Sequence, residues 1–215
     1  MRIFFIFIMF VASCTFGMEK NKNYISELDA HLRKNRQRVT EGHVYSRNTN
    51  QPHFFKKLLS ENPSINTICE IGFNAGHSSV LFLAEKPDIS VYSFDIARHD
   101  YVDAAKQFID ENFPNRHFLI KGDSNETVPN FYQLHPFLKF DLIFIDGGHI
   151  FNIVLNDIKN MQFFANPQTT VVIDDAHKSS GVMLAIEEAV RLNLIRDVKI
   201  EISNDKTKDW AICRY

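Results

Sequence analysis

The sequence predicts an α/β fold with a largely parallel sheet, on three observations. Five short apolar runs recur between polar turns: INTICEIG (65–72), ISVYSFDI (89–96), RHFLIKGD (116–123), FDLIFIDG (140–147) and TTVVIDDA (169–176). Stretches with helical spacing separate or follow them, and strands alternating with helices are the signature of crossover-linked parallel pairing. The runs are also nearly continuous in Val, Ile and Phe, as expected of strands covered on both faces.

In chain order, YISELDAHLRKNRQ and PHFFKKLLSEN predict two helices ahead of the first strand. Helices are then expected in SSVLFLAEK, YVDAAKQFIDENF, ETVPNFYQLHPFL, FNIVLNDIKNMQFFA and SSGVMLAIEEAVRLN, each between or after strands. The tail holds VKIEIS and AICRY with no helix between them, so it predicts an antiparallel pair at the sheet edge with NDKTKD as the hairpin loop.

Of 215 residues, 45% are apolar, and the 24 basic and 26 acidic side chains nearly balance. One core of roughly 200 residues is expected once a leader is set aside. The only basic run, HLRKNRQR, reads as a solvated helix face, so nothing points to nucleic acid as a partner.

Residues 1–17 have the layout of a signal peptide: Arg2, an apolar stretch from Ile3 to Ala12, then small residues. The apolar stretch is short for a membrane span. VASC also resembles a lipobox, in which Cys14 would carry lipid and make the protein a membrane partner, while a start at Met18 would leave it cytoplasmic. The expected organisation is a leader at 1–17, a helical cap segment at 18–62 and the main domain at 63–215. Cys69 and Cys213 lie in strand-like runs without metal-type spacing and read as buried hydrophobes. The NET sequon at 125–127 is too short to carry weight.

All five central runs end in an acid: Glu70, Asp95, Asp123, Asp146 and Asp174, with Asp175 next to the last. In a parallel sheet these ends share the edge where open α/β folds bind ligands. Carboxylates gathered there repel one another unless a cation or a donor-rich ligand joins them. Strand-end acids also act as plain turn formers, and Asp123 reads equally well as a helix N-cap. The first turn, EIGFNAGHSS, places Gly72 and Gly76 between strand and helix, where a missing side chain permits a tight turn and close approach of a ligand.

This ordered set resembles the class I S-adenosylmethionine-dependent methyltransferases over residues 53 to 215. The resemblance implies a Rossmann-like methyltransferase fold with a seven-stranded sheet and an antiparallel edge strand. It implies S-adenosylmethionine as cofactor, with Glu70, Gly72 and Gly76 at the methionine end and Asn74 and Ser78 as further cofactor-binding residues. Asp95 would take the ribose hydroxyls, Asp123 and Ser124 would lie near the adenine, and Asp146 would also border the cofactor. FDLIFIDGGH and VVIDDAH are similar to the metal-dependent small-molecule O-methyltransferases of the macrocin and catechol types. By that resemblance Asp146, Asp174 and Asp175 would hold Mg²⁺ and His149 would be the general base, with His177 the second candidate and Asp157 a further metal-side or structural acid. The implied partner is a small-molecule hydroxyl acceptor, with Tyr45, Phe54 and Phe55 as acceptor-side aromatics or ordinary core. The chain departs from the family pattern at ANPQTT, where a glycine turn is usual, and at Gly148, where an acid or polar residue is usual.

An exported chain would have to meet its cofactor outside the cytosol. Two other readings follow: a non-catalytic nucleoside- or sugar-binding module, and a metal-dependent hydrolase using Asp146, Asp174 and Asp175. The sequence leaves the oligomeric state open, a homodimer included.

Overall fold

The computed structural model describes residues 23–35, 50–203 and 208–215. The leader with Cys14, Met18, Tyr45 and the tip of the last hairpin lie outside the described residues. Among the described residues no helix is long and apolar enough to cross a membrane.

Seven strands form one sheet in the order β3-β2-β1-β4-β5-β7-β6. They are β1 (Thr67–Ile71), β2 (Ser90–Asp95), β3 (His117–Lys121), β4 (Leu142–Ile145), β5 (Thr170–Ile173), β6 (Arg196–Ile202) and β7 (Asp209–Arg214). β1 to β5 pair in parallel, and β7 runs antiparallel to both β5 and β6. The expected antiparallel edge is therefore the β6–β7 pair, with β7 inserted between β5 and the outermost strand.

The helices are α1 (Tyr24–Lys34), α2 (Asn50–Glu61), α3 (His77–Glu85), α4 (Tyr101–Asn112), α5 (Ser124–Leu134), α6 (Phe151–Met161) and α7 (Gly181–Arg191), with a 3₁₀ turn at Gln162–Phe164. Strand alternation divides the apolar side chains between two layers of helix. In β4, Leu142 and Phe144 join the core containing Leu28, Phe55 and Phe82, while Ile143 and Ile145 join the core containing Val154, Ile158 and Ile186. The result is a three-layer sandwich with α1 to α4 on one face and α5 to α7 on the other.

The two N-terminal helices complete the first core. Leu28 and Leu32 of α1 and Phe55 and Leu59 of α2 are buried among Val80, Phe82 and Ile109. Phe55 stacks edge-on against Phe82 and Phe144, both with centroids 5.0 Å away, and Phe54 packs on Trp210 at 5.3 Å. These two rings are core aromatics and do not line the cavity described below.

Candidate active site

The strand order reverses at β1, whose neighbours are β2 on one side and β4 on the other. A crevice opens at such a switch point, outside the carboxyl ends of the strands. Here it is a cavity of about 530 Å³ lined from the β1–α3 loop, the β2 and β3 ends, and the residues after β4 and β5.

The loop after β1 depends on Gly72. Its φ is +100°, and a Cβ there would stand 2.1 Å from the Asp146 carbonyl oxygen. That close approach lets the chains leaving β1 and β4 pass side by side. Asn74 and Gly76 also take positive φ, at 49° and 76°, and turn the backbone into α3. The Asn74 amide donates to Asp95 Oδ2 at 2.8 Å, and the Ala97 amide donates to Asp95 Oδ1 at 2.6 Å. Asp95 is thus fixed by one backbone donor on each oxygen and keeps lone pairs directed at further donors.

Glu70 is placed differently from expectation. Strand alternation turns it toward α3, where it is fully buried beneath the loop and does not line the cavity. Ser78, Ser79 and Ser93 all donate hydroxyls to it, Ser93 at 2.5 Å. Burial lifts its carboxyl to about 7, against the pull of those three hydrogen bonds. His117 joins the same network through Ser93 Oγ at 2.9 Å, and burial lowers its ring to about 3. Its Nδ1 has no hydrogen-bond partner, so a second proton there would be a buried charge without an acceptor.

Asp123 lines the cavity and also caps α5, accepting the Asn125 amide at 2.9 Å. Ser124 donates to Asp157 Oδ1 at 2.6 Å. Asp157 is buried under the cavity floor, and burial lifts its carboxyl to about 6 despite the Ser124 bond. It reads as a structural acid behind Ser124.

At the far end, Asp146, Asp174, Asp175 and His149 meet. His149 Nε2 lies 3.1 Å from Asp175 Oδ2. A carboxylate only accepts, so a neutral ring paired with it through Nε2–H would leave Nδ1 as its acceptor. Asp175 Oδ1 is 3.6 Å from His177 Nε2, and His177 Nδ1 is 3.0 Å from Asp209 Oδ2. Burial raises the Asp146 carboxyl well above the carboxylate range, with Asp174 adding to the rise and Lys208 opposing it.

Two residues with no expected role enter here. Gln51 of α2 donates its amide to Asp174 Oδ1 at 2.8 Å, and Lys208 Nζ lies 3.0 Å from both Asp174 Oδ2 and Asp175 Oδ1. The expected cage of Asp146, Asp174 and Asp175 is therefore not what the structure assembles. Each Asp174 oxygen already accepts one donor, and the ammonium bridges Asp174 to Asp175. Among the described residues, the group whose ligand atoms come within 4.8 Å of one another is Asp146, His149 and Asp175. The sequence signal for Lys208 was the antiparallel tail: a strand entering beside the carboxyl end of β5 brings its first residues to the ligand edge.

A sheet of this order, with a glycine loop at the switch point and an acid closing β2, is the Rossmann-like methyltransferase fold. The profile of a family described as a methyltransferase domain matches residues 69–176, half of the 215-residue chain, and the chain belongs to that family. No curated protein matches by sequence. Among solved structures, the O-methyltransferase from Bacillus cereus in complex with SAH (S-adenosylhomocysteine) has a TM-score of 0.69 at 15% identity, covering 92% of each chain. TomG from Streptomyces achromogenes, an O-methyltransferase involved in tomaymycin synthesis and in complex with SAM (S-adenosylmethionine), has a TM-score of 0.65 at 17% identity, over 91% of this chain and 90% of that one. The SAH-bound methyltransferase PaMTH1 from Podospora anserina has a TM-score of 0.63 at 13% identity, over 90% of this chain and 88% of that one. At these identities what is shared is the fold.

Proposed function

We propose that this methyltransferase moves the methyl group of S-adenosylmethionine to a hydroxyl of a small molecule. The observation that carries the reading is one continuous cavity joining Asp95, held by two backbone amides, to the His149–Asp175 pair. The first end suits a ribose diol, because its carboxylate oxygens retain acceptor capacity. The second suits an acceptor oxygen that must lose a proton.

In this reading His149 Nδ1 takes the hydroxyl proton while Asp175 accepts from Nε2–H and stabilises the imidazolium. The oxygen attacks the sulfonium methyl in line, the carbon–sulfur bond breaks, and its electron pair leaves on S-adenosylhomocysteine. The imidazolium then returns its proton to water. Positioning supplies much of the rate, since the methyl donor is already activated. Divalent-metal assistance, as the macrocin and catechol types imply, meets no three-acid cage here, and the chemistry above runs on the chain's own groups.

Calorimetric titration with S-adenosylmethionine and S-adenosylhomocysteine tests the cofactor end. Both are expected to bind, and Asp95→Ala is expected to weaken both at least tenfold, about 1.4 kcal/mol. No binding of either ligand to the wild-type chain would defeat the reading. Hydrolysis of phosphoester probes with Mg²⁺ and no cofactor would favour a hydrolase instead.

A further inference from the structure

We propose that the Lys208 ammonium is the resident cation of the acidic edge, standing where a divalent ion would otherwise neutralise Asp174 and Asp175, and that the protein works without a metal. The proposal rests on the methyl-transfer reading only for its bearing on catalysis. The geometry itself is independent of that reading.

Lys208 Nζ is equidistant, at 3.0 Å, from one oxygen of each acid. Asp174 is nearly inaccessible, with its side chain 1% exposed, and its other oxygen is filled by Gln51. Each of its oxygens therefore already meets a donor, one of them a cation, where an ion would have to bind. Asp175 is similarly divided, with Oδ1 toward Lys208 and Oδ2 toward His149. A hard divalent ion needs several oxygens at roughly 2.0–2.6 Å, and here it would have to displace the ammonium or share Asp175 with it. Two cations on one carboxylate repel each other, so the lysine excludes the ion electrostatically as well as by occupation.

The lysine is also held in place. Its backbone amide donates to Ser203 Oγ at 2.9 Å, and its carbonyl accepts the Ser203 amide at 2.8 Å, which closes the base of the β6–β7 hairpin. One residue later, the Asp209 carbonyl accepts the Ala176 amide at 2.9 Å and ties this turn to the segment after β5. The main chain that carries the ammonium is thus fastened on both sides.

The same site explains why Asp146 and His149 stay clear of the ammonium's two hydrogen bonds. They face the cavity and remain available to a substrate. Lys208 is accordingly a positioning residue: it keeps Asp175 oriented toward His149.

The test is Mn²⁺ binding, followed by electron paramagnetic resonance, to the full chain and to Lys208→Ala, Lys208→Met and Lys208→Arg, with S-adenosylhomocysteine binding measured on each. Wild type and Lys208→Arg are expected to take up no Mn²⁺ at this edge. Lys208→Ala and Lys208→Met are expected to bind it at least tenfold more tightly, and Asp175→Asn added to either should remove the gain. Mn²⁺ on the wild-type chain that Asp175→Asn abolishes would overturn the proposal. So would the absence of any gain in Lys208→Ala and Lys208→Met while S-adenosylhomocysteine still binds. If neither variant folds, the wild-type measurement decides alone. Loss of S-adenosylhomocysteine binding in the wild type would sink the methyl-transfer reading and leave the metal result standing.

Discussion

Gln51 donates its side-chain amide to Asp174 Oδ1 at 2.8 Å across 123 residues of sequence, joining the second helix of the chain to the end of β5. Both groups are buried. Gln51→Ala would leave an ionised oxygen without its donor, at a cost of about 1–3 kcal/mol. Gln51→Glu should be worse, since it sets a second carboxylate against the first. Urea denaturation of the two variants checks this order, and equal stability of Gln51→Glu and wild type would contradict it.

Gly72 admits no substitute. An added methyl group would meet the Asp146 carbonyl at 2.1 Å, and the positive φ is itself unfavourable for any other residue. Gly72→Ala is expected to cost more than about 3 kcal/mol and to abolish binding of S-adenosylhomocysteine, because the loop and Asp146 must separate. Thermal unfolding together with calorimetry reads both effects.

His149 is exposed at the cavity mouth and carries no load in the core, so its removal should act on rate alone. Once an acceptor is in hand, His149→Ala is expected to lower kcat by about 10²–10⁴-fold with unchanged affinity for S-adenosylhomocysteine. Asp175→Asn should lower kcat less than His149→Ala, since the ring survives without its partner. An unaltered kcat in His149→Ala would remove the histidine from the mechanism.

The buried Glu70–Ser93–His117 network makes an unusual pH prediction. Folded Glu70 keeps its proton up to about 7, against 4.5 for the ordinary group, so between those values stability falls as pH rises. Folded His117 stays neutral down to about 3, against 6.5, so between those values stability rises with pH. From pH 4.5 to 6.5 the two slopes, each about 1.4 kcal/mol per pH unit, oppose and cancel. Glu70→Gln removes one of them. Relative to wild type, its unfolding free energy should climb by about 2–3 kcal/mol over that window. Denaturation curves at several pH values measure the difference, and parallel profiles would refute the assignment.

Much of this architecture was legible because it follows from local pattern. The apolar runs became β1 to β5, the helical stretches between them became α3 to α6, and VKIEIS and AICRY became the antiparallel pair. Gly72 and Gly76 were visible as the turn into α3, and both take positive φ. Asp123 fills both roles open to an acid at that position, capping α5 while lining the cavity.

What was illegible depends on contacts that no local pattern encodes. That Glu70 turns away from the cavity follows from which face of β1 receives α3, a matter of crossover rather than of motif. Phe54 and Phe55 could not be assigned to core or cavity until α2 was docked. Gln51 and Lys208 reach Asp174 from opposite ends of the chain, so spacing along the sequence carries no trace of their meeting.

The insertion of β7 beside β5 has a consequence for how wrong folds are rejected. Lys208 is followed directly by Asp209, so a slip of one residue in that pairing would bring a carboxylate to the place the ammonium occupies. A misaligned sheet would then set a fourth carboxyl group beside Asp146, Asp174 and Asp175 in place of the ammonium, besides turning the apolar face of β7 the wrong way. Errors in this pairing are thus penalised by charge as well as by lost burial, and the acids of the rim also proofread the last strand.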